Sequence, residues 1–355
     1  MFIRGGKLLA QAFDPSTLTL SGDPVSVVEN ITNGTSFSAS AAGPIAYRSP
    51  SPASGQRQLV WFDRAGKEQK RVVYADTAAL GPALSYDGQR IAVYRDRDSN
   101  MDIWSYNIST TAWDRLTFDP GDDIYPLWAR DGASIISGSV RKSAGTPDLY
   151  RTHAARQDSG ELLLSTPLAK FPMDWSADGR FLLYDTPDRK GGTDIGMLTL
   201  GDDGTSKASM FLATDFSEGM GQFSPDGAWV AYQSDRTGRV EVYLRPFTGS
   251  GEGQRVSIDG GGQVRWHPNG RELFFIATDG SLMSAALQFS ADNRTVEVRK
   301  PTRLFATDVG AAPLTFRQQY MVGRDGNTFI MNSAFGEGNA SPITVILNWQ
   351  ATAKR

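Results

Sequence analysis

Short apolar pairs recur along this chain three and four residues after a glycine: Ile91-Ala92, Ile135-Ile136, Leu182-Leu183, Val230-Ala231, Leu273-Phe274 and Phe329-Ile330. Each pair sits inside one repeated phrase: LSYDGQRIAVY, LWARDGASIIS, DWSADGRFLLY, QFSPDGAWVAY, RWHPNGRELFF and MVGRDGNTFIM, with SASAAGPIAYR as a degenerate first copy. The anchoring glycines are Gly43, Gly88, Gly132, Gly179, Gly227, Gly270 and Gly326, at spacings between 43 and 56 residues. Asp-Gly or Asn-Gly between two short runs predicts a tight hairpin, because glycine takes positive φ without strain. An unbroken apolar run predicts a strand covered on both faces. A third strand follows 11–16 residues after the glycine, as in Asp102-Ile103-Trp104, Asp148-Leu149-Tyr150, Asp194-Ile195-Gly196, Glu241-Val242-Tyr243 and Ser281-Leu282-Met283. A more polar fourth segment, such as DRLTFD or QRVSID, suits an outer edge.

A four-stranded meander repeated about every 47 residues predicts an all-β chain, a β-propeller of four-stranded antiparallel blades. Seven anchors give seven blades, with six or eight as the alternatives. The whole of 1–355 reads as one propeller domain. GKLLAQAF near the N-terminus matches GSLMSAAL in the sixth repeat, pairing Gly6 with Gly280 and Leu8 with Leu282. Residues 1–30 therefore read as completing the last blade with 315–350, so that strands from both termini close the ring.

Composition narrows the chemistry. Lys+Arg 36 against Asp+Glu 39 gives a net charge of -3, which supplies no basic field for nucleic acid. Cys is 0 and His is 2, excluding thiolate chemistry and thinning out imidazole chemistry. No apolar stretch approaches a membrane span, so no membrane insertion by this chain is expected. The N-terminal MFIRGGKLLAQAFDPS has no signal-peptide h-region and reads as a strand and turn.

Four motifs are weighed and set aside. Asp96 to Asp102 spaces oxygens like a calcium loop but lacks its sixth-position Gly and twelfth-position Glu, so it reads as a turn. The strings Gly249–Gly253 and Gly260–Gly262 have no Lys-Ser pair or helix after them and read as loops. His153 and His267 read as turn residues, and neither has a ligand partner at metal spacing, so no metal or cofactor is expected. Trp61, Trp104, Trp128, Trp175, Trp229 and Trp266 recur at similar repeat positions and read as packing between blades.

In FSPDGAWVAYQSDRTGRVEVYLRPF the chain resembles the TolB-like, WD-repeat-like β-propellers of bacteria, a likeness that covers nearly all of it. QLVWFDRAGKE at 58–68, the repeat around Gly227 and the tail PITVILNWQA at 342–351 are similar to the C-terminal propeller regions of bacterial serine/threonine protein kinases. No kinase motif is present, so kinase activity is not implied. What the resemblance implies is a sensor or scaffold module, extracytoplasmic in a membrane kinase and otherwise cytoplasmic.

The function expected is non-catalytic binding of a protein, peptide or small polar ligand at the channel mouth. The alternative is a propeller enzyme of lyase or glycosidase type. The segments GDDIYP, AKFPMD, SEGMGQ and GGGQVR lie just upstream of the anchors, where loops between blades converge. They supply the candidate ligand-binding residues Asp123, Tyr125, Lys170, Asp174, Glu218, Gln222, Gln263 and Arg265, a set of mixed sign.

Overall fold

All six Asp-Gly or Asn-Gly phrases are hairpins, and their geometry explains both residues. In a computed structural model, the glycines of these six phrases have φ between 65° and 73°, as at Gly132 and Gly227. Its N–H donates to the carbonyl three residues back (Gly227 to Ser224, 2.8 Å). The preceding acid closes the turn from the other side: Asp226 Oδ1 accepts from Ala228 N at 3.1 Å and from Ser224 Oγ at 2.5 Å. Asn269 does the same for Arg271 N, at 2.9 Å.

The structure describes residues 1–4, 7–29, 36–40, 43–48, 57–73, 80–97, 100–141, 145–156, 159–188, 191–201, 203–249, 253–309, 318–334 and 344–347. The chain divides into two compact units, 57–333 and the combination of 1–56 with 334–355. One domain over 1–355 was expected, so the two units are described separately.

The larger unit is built of antiparallel sheets in chain order. They are β8 (Leu80–Leu84) to β11 (Trp113–Arg115) through β9 (Arg90–Arg97) and β10 (Asn100–Asn107); and β12 (Asp123–Trp128) to β15 (Glu161–Leu164) through β13 (Ser134–Ser139) and β14 (Asp148–His153). Next come β16 (Phe171–Trp175), β17 (Phe181–Pro187), β18 (Thr193–Leu200) and β19 (Ser206–Leu212), then β20 (Glu218–Phe223), β21 (Trp229–Ser234), β22 (Glu241–Pro246) and β23 (Gln254–Arg255). The fifth sheet has β24 (Gly262–Trp266), β25 (Glu272–Ile276) and β26 (Ser281–Phe289), with both β27 (Val296–Val298) and β28 (Thr302–Ala306) on β26. The sixth joins β29 (Tyr320–Val322) and β30 (Phe329–Ala334) to β6 (Arg57–Phe62) and β7 (Glu68–Val73). The first strands touch in the cycle β8, β12, β16, β20, β24, β29 and back to β8, which makes a closed ring.

The burial gradient follows the sequence pattern. Strands β13 and β21 are buried along their whole length, whereas β19 and β23 are largely exposed. Buried Trp128, Trp175, Phe223 and Trp266 all stand four residues before an anchor and pack in the apolar clusters of the sheets. The histidines are turn residues: His153 Nδ1 accepts from Ala155 N at 3.2 Å, and His267 Nδ1 from Asn269 N at 3.0 Å.

The ends differ from expectation. The strands beside β29 and β30 come from 57–73, not from 1–30. Residues of the smaller unit form a sheet of their own, β1 (Phe2–Arg4), β2 (Lys7–Asp14) and β3 (Thr19–Val28). A second sheet there has β4 (Ser36–Ala39) and β5 (Ile45–Arg48) with the C-terminal β31 (Thr344–Ile346), so strands from both termini do meet, in that unit. Leu8 and Ile45 form its small core. The degenerate Gly43 phrase turns between β4 and β5, so it contributes no sheet to the ring of 57–333, where six sheets stand among the described residues. Of the tail, Pro342, Ile343, Asn348 and Trp349 lie outside the described residues.

Two anchors with the same backbone should respond differently to a methyl group. A Cβ at Gly227 would meet nothing within 4 Å, whereas one at Gly326 would collide with the His267 imidazole at Nε2. Gly227→Ala is expected to cost about 1 kcal/mol from the positive φ alone. Gly326→Ala should cost about 1–2 kcal/mol more, because the imidazole must move. Urea denaturation of both variants checks the difference, and equal costs would show that His267 yields freely.

Candidate functional site

Five of the six first strands break their alternation at one place, seven residues before the anchor. The ladder slips between Leu80 and Ala83, Ile124 and Leu127, Pro172 and Asp174, Gly219 and Gln222, and Gly262 and Arg265. At the slip, Gly81, Tyr125, Met220 and Gln263 all hold φ between 55° and 58°. Strain of this kind in non-glycine residues costs about 1–3 kcal/mol and needs support from outside the strand.

That support comes from the preceding sheet. Asp185 on β17 accepts from Met220 N at 3.1 Å through Oδ2, and Gln233 Oε1 on β21 accepts from Gln263 N at 3.2 Å. Gln263 Oε1 accepts in turn from Gln319 N at 2.7 Å. At the β16 bulge, the residue is Pro172, which has no N–H, and the preceding sheet's residue equivalent in the repeat to Asp185 and Gln233 is Gly138, with no side chain to offer. At these three bulges the preceding sheet's side chain matches what the bulge residue offers.

The bulge sorts the eight candidate residues. Nine residues before an anchor, Asp123, Lys170 and Glu218 are buried and spent on structure. Asp123 meets Arg141 Nη2 at 3.2 Å, and burial raises its carboxyl above the usual range. Lys170 Nζ pairs with Asp148 Oδ1 at 2.7 Å and donates to Thr166 O at 2.9 Å. Glu218 Oε1 accepts from Thr214 Oγ1 at 2.5 Å, and burial raises its carboxyl too. Gln263, at the bulge, is consumed by its neighbours. The Asp96–Asp102 segment is likewise structural at its end: Asp102 Oδ2 accepts from Arg115 Nη2 at 2.6 Å, while Asp98 and Ser99 lie outside the described residues. Gly260 N, in the second glycine string, donates to Glu241 Oε2 at 3.0 Å. Ser250, Gly251 and Glu252 of the first string lie outside the described residues.

The remaining four, Tyr125, Asp174, Gln222 and Arg265, line one cavity of about 260 Å³ to which all six first strands or their turns contribute. The Tyr125 ring packs, tilted, between Tyr94 (5.6 Å) and Phe171 (4.8 Å). Asp174 Oδ2 accepts from Phe223 N at 2.8 Å, and burial raises its carboxyl. Gln222 Oε1 accepts from Arg265 Nη1 at 2.5 Å, and its Nε2 donates to Met173 O at 3.1 Å.

Sequence reasoning missed Tyr86, Arg130 and Arg324, which also line the cavity. Each stands two residues before an anchor, in LSYDG, LWARDG and MVGRDG. The signal was present as the variable position in an otherwise regular phrase. Arg130 donates through Nη2 to Trp175 O at 2.8 Å and lies 3.8 Å over the Tyr86 ring. Arg324 approaches the same ring at 5.4 Å. Burial pushes the Tyr86 hydroxyl far above its ordinary pKa. Gln318, also a lining residue, was not a candidate because it precedes its strand without a recognisable motif.

No family model matches the chain. No curated protein matches it either. Solved structures do. A protein assigned as TolB from Agrobacterium tumefaciens is 18% identical, with TM-score 0.57, covering 79% of this chain and 99% of that one. Kuenenia stuttgartiensis hydrazine synthase is 13% identical with TM-score 0.54, covering 88% and 94%. TolB from Acinetobacter baumannii is 17% identical with TM-score 0.46, covering 81% and 66%. At these identities the likeness is one of fold. The resemblance to TolB-like proteins seen in the repeats holds at that level, and the kinase likeness gains no support. The chain has the fold of the TolB-like β-propellers.

Proposed function

We propose that the 57–333 unit is a non-catalytic binding module, which receives a peptide or a small polar ligand in the cavity enclosed by its first strands. The observation that carries this reading is convergence: polar side chains from β12, β16, β20, β24 and the adjoining turns reach one cavity that is otherwise apolar. The described lining holds one carboxylate, Asp174, and it is committed to a backbone N–H. A glycosidase mechanism calls for two carboxyl groups facing each other, so the lining favours binding over that chemistry. A sensor role inside a larger signalling protein rests on the sequence resemblance of 58–68 and of the Gly227 repeat.

The test is a panel of short peptides and polar metabolites, titrated against the parent chain and the pair Gln222→Ala with Arg265→Ala. Binding in the cavity should weaken by about tenfold or more in each variant. The exposed Arg299→Ala serves as control and should bind like the parent. A ligand whose affinity ignores both cavity changes sits elsewhere on the protein.

A further inference from the structure

The cavity has an electrostatic sign that the eight sequence candidates did not show. Three guanidiniums enter it from three sheets, Arg130, Arg265 and Arg324, against the single carboxylate of Asp174. The chain as a whole is negative, with net charge -3, so this excess is local. Asp174 interacts with Arg130 and Arg265 and offsets part of this charge, but one carboxylate stands against three guanidiniums. Among the described residues no ion pair within 4.0 Å joins Asp174, Arg130, Arg265 or Arg324 to any partner. Tyr86 occupies one face of Arg130 and faces Arg324, which fixes the planes and leaves N–H edges available.

A second observation concerns unmet hydrogen bonds. Among the described residues, Arg265 Nε and both amide atoms of Gln318 are buried without a hydrogen-bond partner. Such atoms normally find partners in a folded protein, because leaving a buried donor unpaired is costly. The two residues come from adjoining sheets and line the same cavity. Around them stand Met173 and Met321, which offer apolar contact.

Building on the binding role given above, we propose that this cavity holds an oxyanion, a carboxylate or phosphate group, carried on a small apolar body. The oxyanion accepts from Arg265 and Gln318, with Arg130 and Arg324 supplying long-range attraction. The apolar body packs on the methionines.

The experiment titrates the full chain at pH 7 with three probes: 3-phenylpropionate, phenyl phosphate and the uncharged 3-phenylpropanamide. At least one anion should bind saturably, one per chain, and the amide at least about tenfold more weakly. The stronger anion identifies which oxyanion the site prefers. Arg265→Gln and Gln318→Leu should each weaken that anion by about tenfold, Arg299→Gln should leave it unchanged, and melting curves confirm that all three variants fold. Equal binding of amide and anions, or no saturable binding of either anion up to about 10 mM, overturns the proposal and leaves the cavity polar groups to water. In that event, a neutral or cationic panel ligand weakened by Gln222→Ala and Arg265→Ala would show that the binding role survives without the anion. An anion indifferent to both Arg265→Gln and Gln318→Leu would remove both readings.

Discussion

Lys170→Met is expected to destabilise the chain by about 3–5 kcal/mol, because it strands a buried carboxylate. Lys170 and Asp148 are each 1% exposed and meet at 2.7 Å, so neither can be resolvated when its partner is lost. Ser165 Oγ, 2.9 Å from Asp148 Oδ2, is a neutral donor and does not replace the ammonium charge. Replacing both members, Lys170→Met with Asp148→Leu, removes the charge as well as the partner and should recover most of the loss. Denaturant unfolding of the two single variants and the double variant reads this directly. A near-neutral single Lys170→Met that instead abolishes binding of a cavity ligand would return Lys170 to the ligand site.

The second large effect is a dependence on pH. Burial raises the Asp185 carboxyl from 3.8 to about 7, although Met220 N donates to it. The native state therefore holds this proton between about pH 4 and pH 7, while the unfolded chain has released it. Stability contributed by Asp185 is greatest below that window, falls as pH rises through it, and levels off above pH 7. Asp185→Asn keeps an oxygen for Met220 N and removes the titration. At pH 8 the variant should be more stable than the parent by about 1–3 kcal/mol, after allowing for its buried amide. At pH 4 the two should be close, or the parent ahead. Parallel stability curves for the two proteins from pH 4 to pH 8 would show that Asp185 is already charged in the folded state.

Much of the fold was legible because each hairpin is written locally. Asp226 closes its own turn and Gly227 supplies its own φ, so no distant residue is needed to recognise the phrase. The Gly43 copy has Ala-Ala before its glycine, lacks the closing acid, and turned out to serve the other unit. The membership of residues 57–73 in the last sheet was hidden, because β30 and β6 are neighbours in space and far apart in sequence.

The site was half legible for a different reason. Strict alternation would set Asp123, Tyr125 and Leu127 on one face of β12. The bulge between Ile124 and Leu127 inserts a residue and redirects everything before it. The loop reading placed Asp123 at the channel mouth, but it lies buried against Arg141, whereas Asp174, Gln222 and Arg265, beyond the bulge, line the cavity. Nothing in Ile-Tyr-Pro or Met-Gly-Gln announces a positive φ. Arg130 and Arg324 were not among the candidates, although the turns that carry them end at the cavity.

The matching of bulge to neighbour has a bearing on how this ring can vary. Met220 needs an acceptor from the sheet before it, Pro172 needs none, and the side chains at 185 and 138 agree with those needs in that order. The sheets look like copies, but they are no longer interchangeable. Exchanging the segment 123–164 with 218–255 would set Asp185 before the bulge at Tyr125 and Gly138 before Gln263, leaving the Gln263 N–H without the Gln233 acceptor it now uses. Duplicating or deleting a sheet would cut the same matching at a new seam. A ring assembled from near-identical units has thus acquired a fixed order, and new variants of it are accessible by changing loops and turn residues far more readily than by adding or losing a blade.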